Sequence, residues 1–224
     1  MAEPETGVRS ALVVGRAIDP VRELAAHLGG ELAAVPELAP SADPARWDEG
    51  WIEPVGAWGR ELRDGPPVPH VVVCTWRPDY APQALVERAP ADWSASVERE
   101  LGLWFEASVA AARRCSDGGS LVLLVERPAA LDAPGHGDAV VVAEGLATLA
   151  RSLGINEGGR GVRVNLVTTE LWTAPEQMLG LPPLLASFPG RVGVEAAGAV
   201  RALWSDDAVG ISGTVVRADG GRSW

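Results

Sequence analysis

The strongest constraint on this chain is the alternation of short, β-rich apolar runs with stretches of helical spacing. Ser10 to Val14, Glu31 to Val35, Val71 to Cys74, Ser120 to Val125, Val162 to Val167 and Thr214 to Ala218 are strand-sized and mostly apolar. Between them, Val21, Leu24, Ala25 and Leu28 recur at helical spacing after Asp19-Pro20. Asp19 is the expected N-cap, Pro20 the first helical residue and Gly29-Gly30 the stop. A long helix is expected from Asp92 or Ser94 through Arg114, carrying Val97, Leu101, Trp104, Phe105 and Val109. Ala139 to Leu153 is apolar nearly all round, which predicts a helix buried on two sides, and Ala196 to Trp204 is the last helix. Strands and helices in this order imply an α/β fold: one parallel, doubly wound, Rossmann-like sheet with helices on both faces.

The 224 residues fit one such domain over 1–224. Residues 1–9 are expected to be a flexible N-terminus and 170–190 a short lid-like segment. From Pro36 to Pro69 the periodicity weakens among Pro, Gly and acidic residues, and a loop-rich, shortened crossover with one short helix is expected. Trp47, Trp51 and Trp58 fall in it. A net charge of −11 disfavours nucleic acid and anionic membrane surfaces as partners. No apolar run reaches membrane-spanning length, and the acidic opening lacks the basic start of a signal peptide, so a cytoplasmic location is expected. Cys74 and Cys115 are too few for a metal cluster or disulfide framework and read as two buried thiols. All 19 basic residues are Arg, which removes any catalytic ammonium.

Several stretches together resemble the short-chain dehydrogenase/reductase family, in the style of its ketoacyl reductases. Ala199 to Gly221 is similar to the family's last helix and strand, "L-x-S-D" followed by "I-T-G" and "D-G-G". Arg160 to Leu166 is similar to "G-I-R-V-N", Gly118 to Leu124 to "G-G-S-I-V-N-I", and Leu12 to Gly15 to "A-L-V-T-G". The resemblance covers Ser10 to the end and is thinnest between Pro36 and Pro69. It implies a nicotinamide dinucleotide over the first βα turn. It also implies a Tyr/Lys/Ser/Asn group that moves a proton while hydride is transferred.

The residues depart from that implication. The glycine-rich phosphate loop would run from Gly15 through Arg16, but its later glycines fall at Asp19 and Val21. Asp19 would place a carboxylate at the diphosphate and cap the helix itself, while Arg16 is the one nearby cation. Trp76, with Arg77, replaces small residues beneath the cofactor and would block its space. In ungapped register the Tyr position is Ala139, the Lys position Ala143, the Ser position Glu126 and the Asn position Glu100. The lone tyrosine, Tyr80, lies far upstream. No cofactor is therefore expected, with NAD(P) admitted only if the loop is misread, and no metal.

A catalytically inactive subunit is the leading expectation. It would pair as a homo- or hetero-oligomer, the partner in the second case an active reductase of the same fold. The resemblance assigns pairing to the 94–114 and 139–153 helices, with Leu101, Trp104, Phe105, Val140, Val141 and Leu146 as contacts. Two alternatives stand beside it. One is a non-redox enzyme (a cyclase, dehydratase or isomerase) using Glu126 or His136 as acid/base. The bland reading of those residues is a solvated Glu126-Arg127 pair and a flexible Pro134–Gly137 surface loop. The other is a small-molecule binding or sensor protein with the tryptophan segment as its lid.

Overall fold

The computed structural model describes residues 11–38, 49–78, 81–128, 135–170 and 192–219. Six parallel strands form one sheet: β1 (Ala11–Gly15), β2 (Gly30–Ala34), β3 (Val68–Cys74), β4 (Cys115–Glu126), β5 (Arg163–Thr169) and β6 (Val215–Arg217). Their order is β2-β1-β3-β4-β5-β6. The chain moves outward from β1 to β2, then crosses back to place β3 on the other side of β1. The order thus reverses between β1 and β3, and a doubly wound sheet opens its ligand crevice at the carboxyl ends of those two strands.

Among the described residues the α-helices are α1 (Asp19–Leu28), α2 (Glu49–Asp64), α3 (Pro90–Trp93), α4 (Arg99–Arg114), α5 (Gly137–Glu157) and α6 (Val192–Trp204). Helix α1 packs on α6, while α2 packs on α4 and α4 on α5. The central strands are buried on both sides, as parallel strands between helical layers must be, and β1, β3, β4 and β5 supply most of the core.

The second half is tied together by two polar residues of β5. Arg163 donates to the carbonyls of Leu203, at the end of α6, at 2.6 Å and Ala208, in the turn that follows, at 3.0 Å. Asn165 donates to the Ile211 carbonyl at 2.9 Å and accepts from the Thr214 amide at 3.1 Å, which aligns the chain entering β6. These contacts give the R-V-N run and the Ala199–Gly221 stretch a joint structural role that needs no ligand.

Three expectations are corrected. The 36–69 crossover holds a helix of 16 residues, not a short one. Trp51, Val55, Trp58 and Leu62 form its apolar stripe at spacings of four, three and four, a period that Pro54 and the surrounding glycines obscure. Trp58 therefore packs against the core instead of forming a lid, and Trp47 lies outside the described residues. Helix α5 is buried along one stripe only, through Ala139, Val142, Ala143, Leu146, Ala147 and Ala150, while Val141, Glu144 and Gly145 face outward. Helix α1 begins at Asp19 itself, with Ile18 as the N-cap.

Residues 1–9 and nearly all of 170–190 lie outside the described residues, as does Tyr80. Among the described residues no helix is long and apolar enough to cross a membrane.

Two outcomes follow from the packing. Gly15 abuts β3 so closely that an added Cβ would lie 2.5 Å from the Cys74 carbonyl oxygen. Gly15→Ala is expected to lower stability by about 1–3 kcal/mol in urea melts. Both thiols are buried, and burial pushes Cys115 up to about 12 and Cys74 higher still. Neither should react with a thiol reagent in the native protein, and both should react once it is unfolded.

Candidate functional site

A dinucleotide at this fold's crevice needs backbone amides at the entrance to α1 and a small, open turn after β1. Here two of those amides are already engaged. The Ile18 amide donates to the Arg16 carbonyl at 2.8 Å, the Val21 amide donates to the Ile18 carbonyl at 3.1 Å, and Pro20 has no amide hydrogen. Asp19 does not cap the helix as expected. Its side chain is 98% exposed and accepts from Arg22 at 3.1 Å, one turn along.

Arg16, the one nearby cation, is committed inward. Its guanidinium forks onto Glu100 at 2.6 and 3.0 Å and also donates to the Thr75 carbonyl at 2.7 Å. One side chain thereby joins the exit of β1, the exit of β3 and the first turn of α4. Glu100, the residue at the family's Asn position, is buried as half of an ion pair. Trp76 is buried as well, and its indole Nε1 donates to the Leu124 carbonyl at 2.8 Å. Because the β3–β4 ladder ends at Val73 and Leu123, the indole supplies that next carbonyl of β4 with a donor.

Glu126 ends β4 opposite Thr169 of β5 and is 1% exposed, so it is no solvated partner of Arg127. Arg127 pairs instead with Glu144 of α5 at 2.9 Å. The Glu126 carboxylate adds to the burial that raises the Cys74 thiol. Ala139 and Ala143, at the Tyr and Lys positions, are both buried.

The Pro134–Gly137 reading is corrected too: His136 is 2% exposed at the N-cap of α5. Beside it sequence reasoning missed a buried ion cluster. The Asp138 carboxylate accepts from Arg77 at 2.8 Å and Arg88 at 3.2 Å, both through Oδ2, and Arg88 also donates to the Ser96 hydroxyl at 2.9 Å. The partners are 50 and 61 residues away along the chain, and no local spacing signals them. Burial lowers the His136 imidazole below its ordinary 6.5; Asp138 opposes that, and Arg77 and Arg88 add to it.

The expected contact residues separate into two groups. Trp104 and Leu146 are buried within their own chain, so Trp104 is core and no surface anchor. Phe105 is 55% exposed and Val141 40%, while Leu101 and Val140 are half-buried. Between α2, α4 and α5 lies a groove of about 630 Å³, walled by Ile52, Val55, Leu101, Phe105 and Leu149 and floored by Leu146. Gly56, Gly102 and Gly145 widen it.

A second cavity, about 590 Å³, sits where the first two strands end, between Arg16, Ile18, Val35, Glu37, Leu38 and Pro78. Its charged groups are the committed Arg16 and the exposed Glu37. These residues do not fit a nicotinamide dinucleotide: the Ile18 and Val21 amides are taken and Pro20 has none, the cation is neutralised and a carboxylate lines the space where anionic phosphates would approach. No group of three or more metal-ligating side chains occurs among the described residues.

No family model matches the sequence, and no curated protein is similar to it by sequence. Solved structures are similar in fold. A short-chain dehydrogenase/reductase from Serratia marcescens is 20% identical, with a TM-score of 0.66 over 97% of this chain and 98% of that one. A glucose/ribitol dehydrogenase of the same type from Brucella melitensis is 16% identical, with a TM-score of 0.70 over 97% of each chain. A blue fluorescent protein from a metagenomic library, in complex with NADPH, is 19% identical, with a TM-score of 0.72 over 96% of this chain and 98% of that one. The chain has the short-chain dehydrogenase/reductase fold along nearly its whole length.

Two measurements test the site. Glu100→Gln leaves the Arg16 guanidinium without its counter-charge and should cost about 2–4 kcal/mol. Removing both partners should cost less than the sum of the single changes. For His136, the unfolded imidazole binds its proton near 6.5 and the folded one only at lower pH. Its contribution is therefore full above 6.5 and is lost as pH falls through that value toward the depressed one. His136→Gln should flatten the decline in Tm between pH 7 and 5, measured by circular dichroism.

Proposed function

We propose that this protein is a non-catalytic subunit built on the short-chain dehydrogenase/reductase fold, which associates with a second chain of the same fold. One observation carries the reading. Where ketone reduction needs a phenol backed by an ammonium, α5 carries the methyl groups of Ala139 and Ala143, both turned into the core. The Ser position is a buried carboxylate and the Asn position is spent on Arg16. Over the first βα turn the Arg16 guanidinium is held by Glu100, beside the buried Trp76. Among the described residues there is no phenol and no lysine ammonium to be activated.

The α2/α4/α5 face supports association. An exposed Phe105 lies on the rim of a groove widened by three glycines, so one patch offers both a large apolar side chain and a space to receive one. A chain of the same fold presents the same helices, and two-fold pairing brings like faces together, protrusion into hollow. The occupant is such a chain, a second copy in the simplest case and an active homologue in the other.

The 590 Å³ cavity at the strand ends favours a second reading, a small-molecule binding protein without turnover. The non-redox acid/base reading has less support. Glu126 acts on Cys74 whereas His136 sits with Asp138, Arg77 and Arg88, and neither of the two cavities described takes Glu126 or His136 into its wall.

The test has two parts. The purified chain should show no NADPH oxidation above the blank with a panel of small ketones and acyl thioesters; measurable turnover contradicts the reading. In light scattering the native protein should have at least twice the monomer mass, and Phe105→Asp should shift it to monomer. A native monomer that also fails to recruit a catalytically competent chain of the same fold rejects the association. A ligand that raises Tm without turnover selects the second reading.

A further inference from the structure

The α2/α4/α5 face has a direction. Each of these helices returns the chain from the carboxyl to the amino end of one parallel sheet, so all three point the same way. Contacts along α2 and α4 agree: Gly59 lies against Glu106, and farther along both helices the Leu62 and Pro66 carbonyls accept from Arg114. Glu98 lines the groove where α4 begins. Its carboxylate accepts from the Ser94 hydroxyl at 2.7 Å and has no ion pair among the described residues. Glu53, exposed near the start of α2, stands at the same end. Arg99 is there too, but it is half-buried and its Nη2 is wholly covered, so that guanidinium is sunk into the chain.

Arg60 stands farther along α2. Its Nη1 turns back over Gly56, where an added Cβ would lie 3.5 Å from it. The residue is exposed and has no side-chain ion pair or hydrogen bond among the described residues, not even with Asp64 one turn on. The other charges beside the groove are spent: Glu106 is paired with Arg63, and Glu144 with Arg127. An unpaired carboxylate thus stands at one end of the groove and an unpaired guanidinium toward the other. Gly145 lies against Leu101, so Gly102 and Gly145 clear one level of the face just past Glu98.

We infer that the occupant of this face is a second copy of the chain, turned end for end, with Arg60 of each copy on Glu98 of the other. The inference rests on the association proposed above and selects its partner. A two-fold axis perpendicular to the helices carries the amino end of one face onto the far end of the other, so each carboxylate meets a guanidinium. An axis along the helices would instead set Glu98 against Glu98 and Arg60 against Arg60. The match is a property of the face with itself, and a second copy has it by construction. Two chains of net charge −11 repel at long range, which makes local attraction at the contact matter more. Phe105 lies seven residues, two turns, beyond Glu98. The same turn therefore brings each Phe105 toward the Glu98 end of the other groove, walled there by Ile52 and Leu101.

Analytical ultracentrifugation at low ionic strength tests it. The native protein is expected to sediment as a dimer. Arg60→Glu and Glu98→Arg should each weaken that dimer about 10- to 100-fold, because each turns two attractions into two repulsions. The double variant should recover most of the loss. An equimolar mixture of the two single variants should form a mixed dimer tighter than either variant forms alone. If circular dichroism shows that a charge reversal prevents folding, Arg60→Gln and Glu98→Gln (whose amide oxygen still accepts from Ser94) replace it, and their losses should be non-additive in the double variant. A native dimer that neither single change weakens overturns this pairing and leaves the association standing. So do losses that neither the double variant nor the mixture recovers, or additive losses in the glutamine pair. A native monomer overturns the pairing, and the association falls with it if no chain of the same fold is recruited.

Discussion

The Arg16–Glu100 fork is the interaction on which the rest of the site depends. A guanidinium drawn from water at the end of β1 needs a carboxylate and a carbonyl to remain charged there, and α4 and β3 supply them. The pair is then costly to break from either side, because the partner left behind is a poorly solvated charge. Geometry does the remainder. The residue after Gly15 lies where a diphosphate would approach in a doubly wound sheet, so holding Arg16 inward on Glu100 neutralises the local cation. The Ile18 and Val21 amides at the entrance to α1 are bonded within the turn, and the indole of Trp76 is buried at the neighbouring end of β3.

Arg163 and Asn165 hold α6 and the entry to β6 by hydrogen bonds to backbone, so the stretches most similar to reductases serve the sheet. None of these contacts requires hydride chemistry. Function belongs to sites grafted on folds, and a fold can persist when the site does not. The buried Asp138 cluster illustrates the same division. It occupies the start of α5, where the family's mechanism would need room, and spends two arginines on locking that helix to the segment after β3 and to the turn before α4.

The strand pattern was legible because each run is short, apolar and followed by a turn residue; β1, β3, β4 and β5 fall where those runs lie. Helix α2 was not, since Pro54 and four glycines between 50 and 65 outweigh a four-residue apolar stripe in any reading by composition. At the site, the sequence could say which groups are missing, because a chain without lysine cannot hide one. It could not say what the replacements do. Glu126, His136 and Arg127 look solvated beside prolines and glycines, yet burial is decided by β5, α5 and the Arg77–Asp138–Arg88 contacts, all distant in sequence. Likewise Trp104 and Phe105 are adjacent in sequence, and only helix rotation sends one into the core and the other to the surface.

The central claim is that the crevice over the first βα turn does not receive a dinucleotide. Backbone amide shifts report it most directly, since Arg16, Ile18, Asp19 and Val21 would all sense a dinucleotide seated there. The account predicts that NADPH added to millimolar concentration leaves those resonances in place. Saturable shifts clustered at the four residues, with loss of the Arg16–Glu100 contact, would contradict it.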